Sequence, residues 1–323
     1  MIVKALASTV LVLAVSFGLS NLATAQDADV PAVDLDKWNL VWADEFEGQI
    51  IDPDKWTHET DCWGGGNEER QCYTDEPENS FVSDGTLKIT ALKKRTTGHA
   101  LPASMRKTRD LAKQSKTQPY SSARLRTFAN GDWRFGRFDI RAKLPGGQGV
   151  WPAIWMLPSD QHYGTWALSG ELDIMEAINL GAPCDECEGG VETRVHGTLH
   201  YGGQWPDNKH SGSETTLDDI AAWHTYSIVW SAGVISWYVD GEQFARQTMD
   251  DWYSDSKDAE GRILAPFDQR FHMLLNVAIG GEWPERNGNG VDKTGFPKTM
   301  EVDFVRVYEC ASDPELGLDC ISL

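Results

Sequence analysis

The sequence is short of positive charge. Its 323 residues include 29 lysines and arginines but 49 aspartates and glutamates, which leaves a formal net charge of -20 at pH 7. Nucleic acids and anionic membrane surfaces bind basic patches, so this balance argues against both as partners. A neutral substrate suits such a chain better.

Long apolar runs are absent beyond the N-terminus. There, Lys4 precedes the run ALASTVLVLAVSFGL, and small residues follow at Ala23-Thr24-Ala25. This pattern is typical of a secretory signal peptide, with cleavage after Ala25. A retained anchor is the alternative, although the run is short for a membrane span of about 20 apolar residues. We expect a secreted protein, extracellular or periplasmic, with no membrane contact in its mature form.

Amphipathic helical windows are scarce, and internal repeats and low-complexity tracts are lacking. The best helical window, Met105–Lys116, is strongly charged, and we interpret it as a surface loop with at most a helical turn. Short alternating or β-branched runs, separated by Gly, Asn, Asp and Pro, fill the chain from Trp38 to Glu309 instead. The clearest runs are 85–92, 135–144, 225–241, 270–280 and 300–309.

These runs predict an all-β fold, a sandwich of two antiparallel sheets, within one domain. We divide the chain into a signal peptide (1–25), a short polar leader (26–36), a single folded domain (37–310) and a C-terminal tail (311–323). We expect the protein to be a monomer.

The six cysteines fall in close pairs along the chain: Cys62 with Cys72, Cys184 with Cys187, and Cys310 with Cys320. An even count in an exported protein suggests disulfides, and we expect local pairing, although six cysteines allow 15 connectivities. Half of a zinc site or a redox motif is the alternative for Cys184 and Cys187. However, no second CxxC or histidine pair completes a metal site, and no βαβ pattern surrounds them.

Tryptophan is abundant, with 14 in the chain, and several lie beside Gly, Asn and Pro. Flat indole faces pack on the C–H faces of sugar rings, so a sheet lined with them would bind a carbohydrate chain. The alternative for any one of them is ordinary packing in the core.

Three acids stand in the apolar segment SGELDIMEAIN, at Glu171, Asp173 and Glu176. In a regular strand, Glu171 and Asp173 would share a face and Glu176 would point away. A β-bulge at Ile174-Met175 would reset the alternation and bring all three carboxylates to one cleft. The glutamate carboxyl groups would then lie about 5 to 5.5 Å apart, the spacing of a retaining glycosidase. A calcium site or a solvated edge strand is the alternative.

The segment GELDIME resembles the signature of glycoside hydrolase family 16, in the form with the extra bulge residue. Further blocks resemble its β-1,3-glucanase (laminarinase) branch, in the same order: WADEFEG, WGGGNEERQCYT, SSARLRT, FGRFDIRAKLPGGQGVWPAIWMLP, HGTLHYGG, NVAIGGEWP and VDFVRVYE. The resemblance implies a curved β-jelly roll with a cleft across its concave sheet, and retaining hydrolysis inside a β-glucan chain.

The resemblance also implies roles for individual residues. Glu171 would be the nucleophile, Glu176 the acid/base and Asp173 the assisting carboxylate, and no cofactor is expected for catalysis. Candidate sugar contacts are Asn67, Arg124, Trp151, Trp155, Trp166, His200 and Trp283. Several have simpler alternatives: an ion pair for Arg124, a turn for Asn67 and a core position for His200.

A structural calcium ion is a further implication of the resemblance. Asp303, with main-chain oxygens of Glu47 and Gly85, falls where many family members hold one, and oxygen ligands suit Ca²⁺. An ion pair of Asp303 with Arg306 or another base is the alternative.

Other functions remain open within this resemblance. Some relatives only bind β-glucan because they have lost the acidic residues, whereas both glutamates are present here. Among enzymes, the alternatives are a mixed-linkage β-1,3-1,4-glucanase and the agarase or carrageenase types, and the strong negative charge disfavours sulfated galactans as substrates.

Overall fold

The described residues form nineteen strands. A computed structural model describes residues 34, 36–106 and 114–321, so the predicted signal peptide and most of the leader lie outside the described residues. The strands are β1 (Trp38–Asp44), β2 (Thr57–Glu59), β3 (Gln71–Tyr73), β4 (Ser80–Ser83), β5 (Thr86–Ala91), β6 (Thr96–His99), β7 (Ser115–Gln118), β8 (Tyr120–Ser122), β9 (Arg124–Arg126), β10 (Gly136–Lys143), β11 (Val150–Pro158), β12 (Glu171–Glu176), β13 (Arg194–Gly202), β14 (Asn208–Thr216), β15 (His224–Ser231), β16 (Val234–Val239), β17 (Glu242–Thr248), β18 (Phe271–Ile279) and β19 (Lys298–Cys310). All five predicted runs are confirmed as strands.

Two antiparallel sheets hold most of these strands. One has eight strands in the order β17-β16-β15-β10-β19-β5-β4, with β1 also paired to β19. The other, here called the site sheet, has seven strands in the order β14-β13-β12-β11-β18-β9-β2. Two small sheets, β3-β8 and β6-β7, lie outside them.

The core lies between the two large sheets, and the burial pattern shows which face of each strand contributes. In β13, Val195, Leu199 and Tyr201 are buried, while His196 and His200 between them are half-exposed. This alternation is expected when one face of a strand packs on the core. The other face of the site sheet is therefore open to a ligand. The predicted two-sheet, all-β sandwich is confirmed.

The three local disulfides are present, Cys62–Cys72, Cys184–Cys187 and Cys310–Cys320. The local pairing predicted from the spacing is therefore confirmed. The last of them ties the C-terminal turn to the end of β19.

The described residues in and beside the charged insertion form one short helical turn and one strand. Ala103–Met105 form one 3₁₀ turn, and Ser115–Gln118 form a strand paired with Thr96–His99. Residues 107–113 of the predicted loop lie outside the described residues. In the described part of the chain, no helix is long and apolar enough to cross a membrane.

Candidate active site

Strand β12 contains the β-bulge that its three acids need if they are to project from the same face. Asp173 pairs with Thr198 of β13, and Glu176 pairs with His196, so Ile174 and Met175 together oppose the single residue Gly197. Two residues facing one define a bulge, which reverses the alternation of every later side chain. The predicted bulge at Ile174-Met175 is confirmed.

The pairing with β13 shows that the three acids share a face. Glu171 lies opposite His200 and Glu176 lies opposite His196, and these two histidines are on the open face of the site sheet. Directly opposed residues of antiparallel strands project from the same face. The apolar residues of β12 between the acids pack in the core instead.

A row of side chains crosses the open face through Glu176. Each of the seven strands contributes one residue at this level, and the register pairs each with the next. The row is Glu214, His196, Glu176, Ala153, Asn276, Arg124 and Glu59. Most of these side chains are polar, so the row forms the floor of a polar groove across the sheet.

Glu171 is held by an indole and lies close to a histidine. The Trp166 Nε1–H donates to Glu171 Oε2 at 2.8 Å. His200 Nε2 lies 3.3 Å from Asp173 Oδ2 and 3.8 Å from Glu171 Oε1. The Trp166 ring also lies against His200, with 5.6 Å between ring centroids. These contacts orient the carboxylate and place an imidazole beside it.

Glu176 is held by a second indole at the other end of the acidic strand. The Trp151 Nε1–H donates to Glu176 Oε1 at 2.9 Å. The Trp283 ring packs edge-on against both Trp151, at 5.2 Å, and His196, at 5.1 Å. Trp283 is half-buried, so part of its ring borders the groove beside the acid.

Arg124 lies further along the groove in an ion-paired cluster. Its Nη1 is 3.2 Å from Glu59 Oε2, and its guanidinium lies 4.3 Å from the centre of the Tyr73 ring and 5.4 Å from that of Trp155. The Trp155 Nε1–H donates to Asn276 Oδ1 at 2.7 Å. Arg124 is thus an ion-pair partner, which was the alternative to a sugar contact. It also borders the groove next to Trp155.

Asn67 is an exposed turn residue at the rim of the groove. It follows Gly64, Gly65 and Gly66, whose positive φ angles form the tight turn. Its main-chain oxygen accepts a hydrogen bond from the Glu282 N–H at 2.8 Å. The turn is therefore tied to the loop that carries Trp283.

Burial and mutual repulsion shift the proton affinities of the acids. Burial raises the pKa of Glu171 to about 7, and the negative charge of Asp173 adds to the rise. Burial and the charge of Asp173 also raise the pKa of Glu176 well above its usual value. Burial alone would lower the pKa of His200, but its close contact with Asp173 and the negative charges of the nearby acids outweigh that effect and raise the pKa to about 10.

His200 and an indole N–H stabilise the charged forms of both glutamates, but of the two only Glu171 forms an ion pair with His200. The cationic His200 lies 3.8 Å from Glu171, whereas the direct polar contact of Glu176 is the neutral indole of Trp151. An adjacent positive charge favours the ionised carboxylate. Glu171 is therefore the better anion of the pair, and Glu176 is the better proton donor.

Sequence and structure comparisons agree with this geometry. The sequence profile of glycosyl hydrolases family 16 matches residues 67–297, which is more than half of the chain. The chain belongs to glycosyl hydrolase family 16.

Three glucanases illustrate what this family 16 chain is similar to. A glucan endo-1,3-beta-glucosidase A1 from Niallia circulans is 40% identical over 84% of this chain, which spans 38% of that relative. The laminarinase structure from Rhodothermus marinus has a TM-score of 0.68 and 35% identity, and the match covers 85% of this chain and 98% of that one. A non-specific endo-beta-1,3(4)-glucanase from family GH16, co-crystallised with a glucan oligosaccharide, has a TM-score of 0.65 and 36% identity, with 84% of this chain and 95% of that one covered. The predicted jelly-roll class is confirmed.

Two groups of side chains in the described part of this family 16 chain are close enough to hold a metal ion. In one, Cys184 and Cys187 lie near Glu192, but both sulfurs are engaged in a disulfide. In the other, the candidate ligand atoms of Glu171, Asp173 and His200 lie within 4.8 Å of one another.

The set considered for calcium lies away from the acids. Asp303 lies on β19. The residues before it pair with β5, where Val302 faces Leu87, and the residues after it pair with β1. The chain on either side therefore brings Gly85 and Glu47 toward the same stretch of β19. Arg141 Nη1 binds Asp303 Oδ2 at 2.8 Å, and Arg306 pairs with Glu45 instead.

Sequence reasoning missed several residues that line the groove of this family 16 chain. His196 is four residues before His200, so strand parity alone could have placed both on one face. Asn276 is one of two polar residues in the otherwise apolar strand β18, which was a usable signal. No local sequence signal marked Glu59 or Tyr73, because their neighbours in space are distant in the sequence.

Proposed function

We propose that this chain is a retaining endo-β-1,3-glucanase that hydrolyses laminarin-type β-glucans by double displacement. The observation that carries the proposal is the bulge at Ile174-Met175, which puts Glu171 and Glu176 on one open face with Asp173 between them. Retaining hydrolysis needs two such carboxyl groups about 5 to 5.5 Å apart, flanking the scissile bond. The family membership supports the same chemistry.

In the first step, the ionised Glu171 attacks the anomeric carbon while Glu176 gives its proton to the departing glycosidic oxygen. The C–O bond to the leaving sugar breaks as the bond from C1 to the Glu171 oxygen forms. In the second step, Glu176 takes a proton from water, and the resulting hydroxide displaces Glu171 from C1. The cationic His200 beside Glu171 supports the nucleophile in its charged form.

Asp173 has a supporting role in this proposal. Its charge raises the pKa of both glutamates, and its Oδ2 lies 3.3 Å from His200 Nε2. A shared, negatively charged neighbour favours retention of one proton in the cluster, which is the state needed before glycosyl transfer.

The groove supports a chain-like substrate. Half-buried tryptophans border it on both sides of the acids: Trp151, Trp155, Trp166 and Trp283. We propose that their ring faces contact glucosyl units and that Asn67, Arg124 and His200 bind hydroxyl groups. The indole N–H groups of Trp151 and Trp166 already bind the glutamates, so these two tryptophans also orient the catalytic acids.

The decisive experiment measures reducing-sugar release from laminarin, lichenan, agarose and carrageenan by the same preparation. We expect laminarin to be hydrolysed fastest, and ¹H NMR to show the β-anomer as the first product. Glu171→Gln and Glu176→Gln should each abolish release, while Glu309→Gln, at an exposed site, should retain it. Binding of laminarin without hydrolysis would identify a glucan-binding module instead.

A mixed-linkage β-1,3-1,4-glucanase is the second candidate. It is favoured by the likeness to a relative described as a non-specific endo-beta-1,3(4)-glucanase. Rates on lichenan that equal those on laminarin would support this broader specificity.

We also propose that the protein is exported after removal of residues 1–25 and acts as a monomer. The three disulfides are in keeping with an oxidising compartment. N-terminal sequencing of secreted protein should begin at Gln26, and light scattering should give the mass of one chain.

A structural calcium ion is a further proposal. Asp303 would bind it through Oδ1, because Oδ2 accepts from Arg141, and main-chain oxygens of Glu47 and Gly85 would complete the set. The nearby guanidinium would weaken the site, so we expect modest affinity. Millimolar Ca²⁺ should raise the unfolding temperature of the wild type but not that of Asp303→Asn, and an equal rise in both would refute this site.

A further inference from the structure

The catalytic bulge is in contact with a tryptophan from the opposite sheet. Trp237 lies in β16 of the eight-stranded sheet and is fully buried. Its indole Nε1–H donates a hydrogen bond to the main-chain oxygen of Asp173 at 2.8 Å. Asp173 is the residue immediately before the bulge, so a core side chain binds the backbone at the point where the strand changes parity.

The residue opposite the bulge is a glycine for a steric reason. A Cβ built on Gly197 would lie 2.4 Å from Trp237 Cδ1 and 2.7 Å from its Nε1, closer than van der Waals contact allows. The indole therefore occupies the space that any side chain at position 197 would need. Gly197 is also the single residue that faces Ile174 and Met175, so the glycine and the tryptophan form one unit with the bulge.

The unit connects to catalysis through the position of Glu176. A bulge disrupts the hydrogen-bond ladder locally, and its backbone needs partners from elsewhere. Without the bulge, Glu176 would return to the core face of β12, away from Glu171. A group that stabilises the bulged backbone therefore stabilises the arrangement of nucleophile and acid.

We propose that Trp237 is a positioning residue for the reaction: its hydrogen bond to Asp173 and its fit over Gly197 hold the bulge that aims Glu176 into the groove. Trp237 touches neither substrate nor the reacting atoms, and it acts through the backbone of β12. This inference rests on the proposed glucanase function.

The test compares two matched substitutions, Trp237→Phe and Trp230→Phe. Trp230 is also buried in the eight-stranded sheet, and its Nε1–H donates to a main-chain oxygen, that of Phe267, at 3.2 Å. Both variants lose an indole and one hydrogen bond to a carbonyl, but only Trp237 binds the catalytic strand. Each is assayed on laminarin and on a 2,4-dinitrophenyl β-laminaribioside, whose leaving group departs without a proton.

We expect Trp237→Phe to lower kcat on laminarin at least tenfold with KM within about twofold. Its kcat/KM on the dinitrophenyl glycoside should stay within about threefold of the wild type, because glycosylation of Glu171 then needs no acid. Trp230→Phe should keep both activities within about twofold. A similar fall in kcat on laminarin in both variants, or an unchanged kcat in Trp237→Phe, would overturn the inference.

A second variant covers the case in which Trp237→Phe does not fold. Gly197→Ala retains the tryptophan but displaces its indole, and it should show the same selective loss on laminarin. An unchanged Gly197→Ala would refute the inference. Wild-type protein inactive on both substrates would refute the proposed function and this inference together, whereas an active wild type with unselective losses would refute the inference alone.

Discussion

Replacing Glu171 by glutamine should stabilise the protein in a pH-dependent way. The folded protein raises the pKa of this carboxyl group from its usual 4.5 to about 7. Between these values the folded state keeps a proton that the unfolded state has lost, so the wild type becomes less stable as pH rises through this range. Glutamine cannot ionise, and it can still accept the Trp166 hydrogen bond.

The size of the effect follows from the shift. Each unit of pKa change is worth about 1.4 kcal/mol, so the charged Glu171 costs the folded state about 3 kcal/mol above pH 7. The side chain is only 15% exposed, so little of this is screened by water. For a chain of this size, about 3 kcal/mol corresponds to about 6 °C in unfolding temperature.

The assay is urea unfolding, followed by tryptophan fluorescence at pH 4.5 and pH 8. Glu171→Gln should match the wild type at the lower pH to within about 1 kcal/mol and exceed it by up to about 3 kcal/mol at the higher pH. Glu309→Gln, at an exposed position, is the control and should show no such difference. A Glu171→Gln protein that gains the same stability at both pH values, or loses stability at pH 8, would refute the reasoning.

Other changes test the same site from different directions. Trp166→Phe removes a hydrogen bond that lowers the pKa of Glu171, so the acidic limb of the pH profile of kcat/KM should move to higher pH; an unmoved limb would contradict this. With an activated leaving group, azide should rescue Glu171→Ala as an α-glycosyl azide and Glu176→Ala as a β-glycosyl azide. NMR identifies the products, and swapped stereochemistry would reverse the assignment. Trp237→Ala should cost about 3 to 5 kcal/mol of folding stability by opening a cavity. Trp166 is half-buried, so Trp166→Ala should cost much less folding stability while weakening laminarin hydrolysis. Thermal unfolding and kinetics on both variants separate a packing role from a sugar-binding role.

Strand positions and the identity of the acids were readable from local patterns. The runs around β5, β10 and β18 have the composition and alternation of strands, and each formed one. The close spacing of the cysteines also predicted their pairing correctly. Such features depend on neighbours along the chain, which a sequence displays directly.

The partners of the site residues were not readable in this way. The pairing of Asp303 with Arg141 joins residues 162 positions apart, and that of Arg124 with Glu59 joins residues 65 apart. Each depends on the register between strands that meet only in the folded sheet. The sequence therefore cannot show which of the many charged residues pair with each other.

The acids of β12 show where local information ends. Their order and spacing, in the sequence alone, determined that a bulge was needed if they were to act together. Whether the bulge forms was decided by the tertiary structure, because β13 must offer Gly197 opposite Ile174 and Met175, and the other sheet must supply Trp237 to bind Asp173. The alternation of a strand is a property of its own backbone, whereas a lasting break in that alternation needs space and hydrogen-bond partners that only the packed neighbours provide.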